Sequence, residues 1–495
     1  MAGSSQDPLG AHGVPIVGAR PTMNNTHTKG VWLVALALSV TFSATIYSQY
    51  EAHSFLHGDG AFYANINKSI ANDLSLDQTR YHPHSWLEDK LNWNRNIDVA
   101  WSNVSLGKDG RWLPKHSYVV AIFSTPFYIA FGLNGLLLFH VLMLVAMLTA
   151  AFAIASRFVS PMAAALSTAI VAVQPVIYGG TYAYNNDAFY GALLVVGVWA
   201  LLNKRLVTAG VLMGVGVWTK ATNIVFVFPF AVWLIWQYRK DWRSIARATA
   251  AFAIPIVLML AANGYYFGSP FTTAYHQIIV RTDHQITTQS LAESFNEPVV
   301  DGIKRVINHK REGLDSQAPL LWLCVPGLLL LGWRRDSRHL AFLFAVAFGA
   351  FLILQARYAF TYARFFMPIV ALSVVPIGAL LERLDPRQSE DTTTPSRMRP
   401  VGLAALTLAL LYVLVAWLWP ASTYPFSLTE HIEDAKVTNN GQRCDYFNNN
   451  HLKWECSGDK QPYAYWGKAI RENECVFNDE QREMLWLHPV PNGQE

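Results

Sequence analysis

The sequence is poor in charged residues: Asp, Glu, Lys and Arg make up 15% of its 495 residues, whereas hydrophobic residues make up 52%. Soluble globular chains carry about 25% charged residues, so this deficit argues against a soluble domain. In place of charge the chain has apolar stretches that alternate with short polar connectors. Stretches of about 20 apolar residues match the thickness of a bilayer core. The sequence therefore predicts an all-α integral membrane protein.

Cysteine is also scarce. The four cysteines include no Cys-x-x-Cys pair, which argues against a structural zinc site. Cys324 lies in an apolar run and is expected to pack as a small hydrophobe. Cys444, Cys456 and Cys475 fall in a polar C-terminal segment. Cys444 and Cys456 are a candidate disulfide, although three cysteines leave the pairing open.

The sequence lacks a cleavable signal peptide and a basic patch. The N-terminus is polar, and the first apolar run behind it is long enough to remain as an anchor. The formal net charge is only +4, and the basic residues are spread over connectors. This distribution is not typical of a nucleic-acid-binding protein, and no nucleic-acid partner is predicted.

The apolar runs and the basic connectors together predict a topology. Lys and Arg concentrate in connectors near residues 157, 204, 239, 334 and 383–399, and such connectors favour the cytoplasm. All of these connectors lie on the same side of the membrane only if one of the early apolar runs does not cross it. The short run 118–131 is the candidate for that run. It is predicted to be a juxtamembrane helix in the first outer loop, which leaves about 11 transmembrane helices. The apolar runs are 31–47, 118–131, 135–156, 161–178, 187–202, 207–218, 222–237, 249–267, 318–333, 339–354, 362–382 and 401–419.

This topology divides the chain into three parts. Residues 1–30 form a cytoplasmic N-terminal tail, 31–420 a transmembrane catalytic domain, and 421–495 a small extracytoplasmic C-terminal tail domain. The large outer loops are about 51–117 and 268–317. Asp59, Asp187, Lys220, Arg357 and Arg364 then all fall at the outer membrane boundary. Ionisable residues so close to hydrocarbon indicate a functional site by default, here on the outer face of a plasma (inner) membrane protein.

Five short motifs, taken in order, resemble those of the GT-C superfamily of polytopic glycosyltransferases. The resemblance is to the branch of the protein O-mannosyltransferases and the lipid A aminoarabinose transferases, and it covers roughly residues 30–385. Gly60 stands where many relatives have Glu. The motifs are Asp59-Gly60-Ala61-Phe62-Tyr63, Pro114-Lys115-His116-Ser117-Tyr118, Tyr184-Asn185-Asn186-Asp187, Gly214-Val215-Gly216-Val217-Trp218-Thr219-Lys220 and Arg364-Phe365-Phe366-Met367-Pro368.

The resemblance implies transfer of a sugar from a polyprenyl-phosphate donor to a hydroxyl of a glycan, lipid or protein, with inversion. Such a reaction needs a base for the hydroxyl proton and cations for the departing phosphate. Asp59 is the implied base, and Asp187 is implied to orient the acceptor or help bind a metal. The resemblance implies no particular cofactor, and a divalent metal stays open. The implied donor-phosphate ligands are Lys115, Lys220, Arg357 and Arg364, and the implied loop contacts are Tyr63, His116, His276, Arg281 and His284.

Each of these roles has a structural alternative. Asp59 and Asp187 each precede or begin a helical segment, where Asp is a favoured cap. Lys and Arg near span ends also extend toward lipid headgroups without further function. The spacing of the His and Arg residues in the second outer loop is not that of a zinc site, and it favours a solvated loop.

Two further functions remain as alternatives to an enzyme. A lipid-linked sugar transporter or flippase would place charges at the membrane edge, although transporters usually show an internal repeat and a site near the midplane. No such repeat is visible in this sequence. A non-catalytic envelope assembly protein would use its tail to bind partners, and it would not need Asp59 or the outward cations.

Overall fold

The computed structural model describes seven stretches of the chain and four isolated residues near the C-terminus. Asp59, His284, the predicted tail 421–495 and its three cysteines lie outside these residues, so the predictions made for them stay predictions. The described residues are 25–49, 60–78, 104–178, 184–282, 285–310, 312–359, 361–384, 407, 408, 411 and 415.

The described part is mostly helical, as the apolar runs predicted. Each predicted run from 31–47 to 362–382 coincides with one or more helices. The helices are α1 Asn25–Gln49, α2 Gly60–Asp73, α3 Val119–Ala155, α4 Pro161–Ala172, α5 Pro175–Tyr178, α6 Asn186–Leu202, α7 Leu206–Thr219, α8 Ile224–Gln237, α9 Trp242–Phe267, α10 Val299–Asn308, α11 Leu314–Gln317, α12 Cys324–Trp333, α13 Arg338–Ala356, α14 Met367–Leu372 and α15 Val374–Leu384.

Several helices have the length and composition of membrane spans. Within the described residues, Asn134–Ala155, Trp242–Phe267 and Arg338–Ala356 are long and apolar enough to cross a membrane. A pair bent by 47°, Ala363–Leu372 and Val374–Arg383, is a fourth candidate. The remaining apolar helices have 10–17 residues. The number of about 11 spans stays a prediction.

Helix α3 is broken where the sequence predicted a separate juxtamembrane helix. Gly132 has φ 59° and ψ −142°, and the helix changes direction there. This positive φ favours glycine, which has no Cβ to clash with the backbone. A Cβ on Gly135 would lie 1.9 Å from the Phe127 carbonyl oxygen, so the two segments approach each other closely at the bend. The run 118–131 is thus a helix of its own, and its position at the membrane surface stays a prediction.

A small antiparallel sheet joins the two outer loops, and the all-α prediction omitted it. Its strands are β1 Val104–Leu106, β2 Trp112–Pro114, β3 Ile278–Thr282 and β4 Gln285–Gln289, in the order β2-β1-β3-β4. Ser105 pairs with Ile278, and the Ser105 hydroxyl donates to the Ala274 carbonyl at 2.6 Å. The sheet holds both predicted outer loops at the same end of the helical bundle.

The β1–β2 hairpin closes with its own charge pair. The Arg111 guanidinium donates to the Asp109 carboxylate at 2.7 Å through Nε. This hydrogen bond lowers the pKa of the Asp109 carboxyl. Gly110 has φ 83° and supplies the left-handed residue of the turn.

The basic connectors meet one another at the opposite end of the bundle. Arg157 donates to the Leu202 carbonyl at 2.9 Å, which joins the connectors after α3 and α6. Glu382 binds Arg334 at 2.9 Å and also accepts from the Ser160 backbone N–H at 2.8 Å. These contacts bring four chain segments together. This is expected if the basic connectors all lie at the same end of the bundle. The assignment of this end to the cytoplasm stays a prediction.

Candidate active site

Helix α6 presents Asp187 in its first turn. Asn185 precedes the helix, and its side-chain oxygen accepts from the backbone N–H groups of Asp187 and Ala188 at 2.9 and 3.4 Å. Asn185 is therefore the residue that caps this helix, as its residue type favours. The alternative that Asp187 serves as the cap is wrong, and the Asp187 carboxylate is available for other partners. Its side chain is 2% exposed.

Two cations and a hydroxyl surround the Asp187 carboxylate. The Lys220 ammonium lies 3.9 Å from Oδ1, and Nε of Arg364 lies 3.3 Å from Oδ2. The Tyr190 hydroxyl donates to Oδ1 at 2.8 Å and lies 3.1 Å from the Phe365 carbonyl oxygen. We call these five residues the Asp187 cluster. Both cations of the cluster therefore share the Asp187 carboxylate as a partner.

Lys220 reaches the cluster because the chain breaks between two helices. Helix α7 ends at Thr219, and Lys220 has extended backbone angles before a single 3-10 turn, Ala221–Asn223, leads into α8. The Lys220 ammonium lies 3.1 Å from the centre of the Phe365 ring. A cation over an aromatic face is stabilised by the ring quadrupole. The break falls between the predicted apolar runs 207–218 and 222–237, and the Lys220 side chain is 18% exposed.

Arg364 comes from a second irregular segment. It lies in a 3-10 turn, Ala363–Phe366, directly before α14. Its guanidinium carbon lies 5.2 Å from the Tyr362 ring centre and 5.8 Å from that of Phe365. The side chain is 30% exposed. Aromatic rings thus hold both cations while leaving part of each accessible.

The second outer loop packs against Tyr358, which in turn contacts Phe365 of the cluster. Phe295 stacks on Tyr358 at 4.7 Å, and Tyr358 lies 6.4 Å from Phe365. Arg305 of α10 binds Glu297 at 3.4 Å and donates to the Tyr358 carbonyl. This chain of contacts ties the loop to the cluster.

Helix α2 and the Pro114 motif lie beside the start of α6. The His116 ring lies 5.6 Å from Tyr63 and 6.3 Å from Tyr275, and Tyr63 lies 6.0 Å from Tyr184 in an edge-to-face contact. The structure thus brings Tyr63 and His116, both singled out in the sequence, close to each other. Lys115 is the half-buried neighbour of His116 in the chain.

A buried polar network fixes these parts relative to one another. The Tyr184 hydroxyl donates to the Asn67 side-chain oxygen at 2.7 Å and lies 2.6 Å from the Ser124 hydroxyl. The Asn67 amide nitrogen lies 2.9–3.0 Å from the Ala121 carbonyl and from the Ser124 and Thr125 hydroxyls, and these oxygens share its two hydrogens. Buried polar networks rigidify a structure when every member is satisfied. The network connects α2, the first part of α3 and the residue before the Asn185 cap.

Other predicted site residues have local partners. Arg357 is exposed and donates through Nε to the Phe295 carbonyl at 3.2 Å. His276 is exposed, and its Nδ1 accepts from the Thr273 backbone N–H at 3.1 Å. Arg281 lies in β3. Among the described residues, no group of three or more His, Cys, Asp or Glu side chains has an arrangement that suits a metal ion.

Tyr190, Phe365 and Asn67 contribute to this region, and the sequence reasoning missed them. Tyr190 lies three residues after Asp187 on a helix, and residues with this spacing share a face, so helical spacing was a usable signal. Phe365 stood inside a quoted motif without an assigned role. Asn67 carried no signal in the sequence, because its partners come from distant segments.

Comparisons with known proteins agree with this fold. The model of Glycosyltransferase family 87 matches residues 118–356. The crystal structure of ArnT from Cupriavidus metallidurans in the apo state is similar, with a TM-score of 0.50 and 13% identity over 94% of this chain and 86% of that chain. A search of curated proteins finds no match. The family match and the fold likeness together support a polytopic glycosyltransferase of the GT-C type, which confirms the resemblance predicted from the five motifs.

Proposed function

We propose that this membrane glycosyltransferase takes its sugar from a polyprenyl-phosphate donor and transfers it, with inversion, to an acceptor hydroxyl on the outer face of the membrane. The observation that carries the proposal is the convergence of two cations, Lys220 and Arg364, on one buried carboxylate, with the side chains of both cations partly exposed. The cluster receives packing from the second outer loop. A partly accessible pair of cations at the edge of apolar helices suits a lipid-linked phosphate.

Lys220 and Arg364 have the chemistry for the donor phosphate. Charge builds up on the phosphate oxygens as the bond to the sugar breaks, and preorganised cations stabilise such charge strongly in a site that excludes water. A guanidinium also offers paired N–H donors that match phosphate oxygens. Asp187 and Tyr190 hold the two cations in place, so little reorganisation is needed when the phosphate arrives. Lys115 and Arg357 are proposed as further phosphate ligands.

Asp59 is proposed as the base. It directly precedes Gly60, the first residue of α2, and α2 contacts His116 and Tyr184 through Tyr63. In the proposed step the Asp59 carboxylate accepts the hydroxyl proton, and the acceptor oxygen bonds to the anomeric carbon. The bond from that carbon to the phosphate oxygen breaks, and polyprenyl phosphate leaves with the electron pair. His276, Arg281 and His284 of the second outer loop are proposed as loop contacts.

The test is a transfer assay with purified protein in detergent. The protein is incubated with a panel of radiolabelled polyprenyl-phosphate sugars and a membrane extract as the acceptor source. Wild type is expected to transfer one of these sugars, and Asp59→Asn is expected to abolish transfer without loss of expression or folding. Full activity in Asp59→Asn would contradict the role of the base. Translocation of a lipid-linked sugar without any transfer would favour a flippase instead.

A further inference from the structure

Two basic connectors lie side by side at the end of the bundle opposite to the Asp187 cluster. One joins α8 to α9, and the other precedes α13. The Trp236 ring lies 5.1 Å from the His339 ring and 5.9 Å from the Arg239 guanidinium carbon, so it bridges the two connectors. We call their cations the basic rim: Arg239, Lys240, Arg243, Arg247, Arg334, Arg335 and Arg338.

The basic rim carries more positive charge than the described residues next to it neutralise. All seven cations are exposed. The carboxylates next to them are those of Asp241, Asp336 and Glu382, and Glu382 binds Arg334 at 2.9 Å. Asp241 caps α9 by accepting from Ser244, and these hydrogen bonds lower the pKa of its carboxyl. Counted over the described residues alone, seven cations against three carboxylates leave an excess of four positive charges.

Three exposed tryptophans lie in or next to the basic rim. Trp236, Trp242 and Trp333 are 46%, 69% and 85% exposed. Tryptophan is enriched at membrane–water interfaces, where an amphipathic ring meets both phases. The Arg243 guanidinium carbon lies 6.0 Å from the Trp242 ring centre, so cation and indole lie at the same level.

We infer that the basic rim binds the headgroup of an anionic phospholipid, whose phosphate lies between Arg239 and Arg338 beside Trp236. Basic clusters next to spanning helices attract anionic lipids, and basic pockets between such helices bind headgroups with two phosphates. The two adjacent connectors, bridged by one indole, form such a cluster. This lipid is separate from the polyprenyl-phosphate donor, because the two sites lie at opposite ends of the bundle.

The binding test uses native mass spectrometry of the purified protein with added cardiolipin or phosphatidylcholine. Wild type is expected to retain cardiolipin and to lose phosphatidylcholine. Arg239→Gln with Arg338→Gln is expected to lower cardiolipin occupancy about fivefold or more, because both phosphate ligands are removed. The matched control is Lys204→Gln with Arg205→Gln, which also removes two positive charges beside a tryptophan, since Arg205 lies 5.2 Å from the Trp199 ring.

The control variant is expected to keep cardiolipin occupancy within about twofold of wild type. The proposed site would be wrong if cardiolipin occupancy fell equally in the two double variants, or if it did not fall in Arg239→Gln with Arg338→Gln. A second measurement needs no variant: cardiolipin is expected to raise the melting temperature of the wild-type protein above its value in phosphatidylcholine, and high salt is expected to weaken the effect. No difference between the two lipids would also overturn the inference.

Discussion

Asp187 is the residue that brings the two cations of the candidate site together. Its carboxylate is buried against Lys220 and Arg364, whose side chains are 18% and 30% exposed. A buried carboxylate with two cations is stabilised by attraction, whereas two cations left alone repel each other. Asp187 therefore both stabilises the fold and sets the positions of the cations.

The first prediction concerns Asp187→Asn. The substitution keeps the size of the side chain and removes its charge, so Lys220 and Arg364 lose their shared partner. Breaking a buried ion pair costs about 3–5 kcal/mol, and the partly exposed cations reduce that cost here to about 2–3 kcal/mol. We expect the melting temperature in detergent to fall by several degrees.

Added polyprenyl phosphate distinguishes a binding cluster from a merely structural ion pair. A ligand that binds the folded state raises its stability, and a phosphate supplies the negative charge that Asp187→Asn removes. We expect polyprenyl phosphate to raise the melting temperature of this variant more than that of wild type. Equal or smaller stabilisation of the variant would contradict the assignment of the phosphate to Lys220 and Arg364.

At the scale of elements, the Tyr184 network controls how α2 meets the start of α6. The Tyr184 hydroxyl binds Asn67 of α2, and Tyr184 is next to the Asn185 cap that precedes Asp187. We expect Tyr184→Phe to lower kcat about tenfold and to leave KM for the donor nearly unchanged, because small misplacements of reacting groups slow the chemical step.

Ser337→Ala is the matched control for this variant. Ser337 is also buried and donates its hydroxyl to the Leu331 carbonyl at 2.8 Å, but it lies at the opposite end of the bundle. Each variant loses buried hydrogen bonding worth about 1–2 kcal/mol. If Ser337→Ala lowers kcat as much as Tyr184→Phe does, the effect is one of general stability and the positioning role is wrong.

Helix α7 is held against α9 by two small residues four positions apart. A Cβ on Gly210 would lie 2.5 Å from the Ala248 carbonyl oxygen, and one on Gly214 would lie 2.7 Å from that of Phe252. Pairs of glycines with this spacing let membrane helices approach closely. The packing fixes the end of α7, and hence the break that carries Lys220.

Gly214→Ala is therefore expected to destabilise the protein by about 1–3 kcal/mol, because overpacking forces the helices apart. We also expect weaker donor binding, since Lys220 moves with α7. The control is Gly349→Ala in α13, where an added Cβ meets no atom within 4 Å. Alanine favours a helix over glycine by about 1 kcal/mol, so Gly349→Ala should be neutral or stabilising. Thermal unfolding of both variants is the measurement. Equal destabilisation by Gly214→Ala and Gly349→Ala would show that glycine substitution in these helices is destabilising in general and would contradict the role of close packing at Gly214.

At the scale of the whole molecule, the sequence predicted which residues share one end of the helical bundle better than it predicted their contacts. Apolar runs and basic connectors are local signals, and they placed Asp187, Lys220 and Arg364 at one end of the bundle. Their direct contact depends on how α6, α7 and the segment before α14 pack, and no local pattern encodes that packing. The same limit explains the missed sheet, because β1 has only three residues and pairs with a strand about 170 residues away. A strand so short shows no recognisable alternation.

The central claim is that Lys220 and Arg364 bind the phosphate of a polyprenyl-phosphate sugar that the protein transfers. The most direct measurement is kcat/KM for sugar transfer by wild type, by Arg364→Gln and by Lys304→Gln, an exposed cation of α10 that serves as the control. In Arg364→Gln, kcat/KM is expected to fall about 10²-fold or more, because a contact to the transition state is lost. In Lys304→Gln, kcat/KM is expected to stay within about threefold of the wild-type value. Transfer by Arg364→Gln at the wild-type rate would contradict the account.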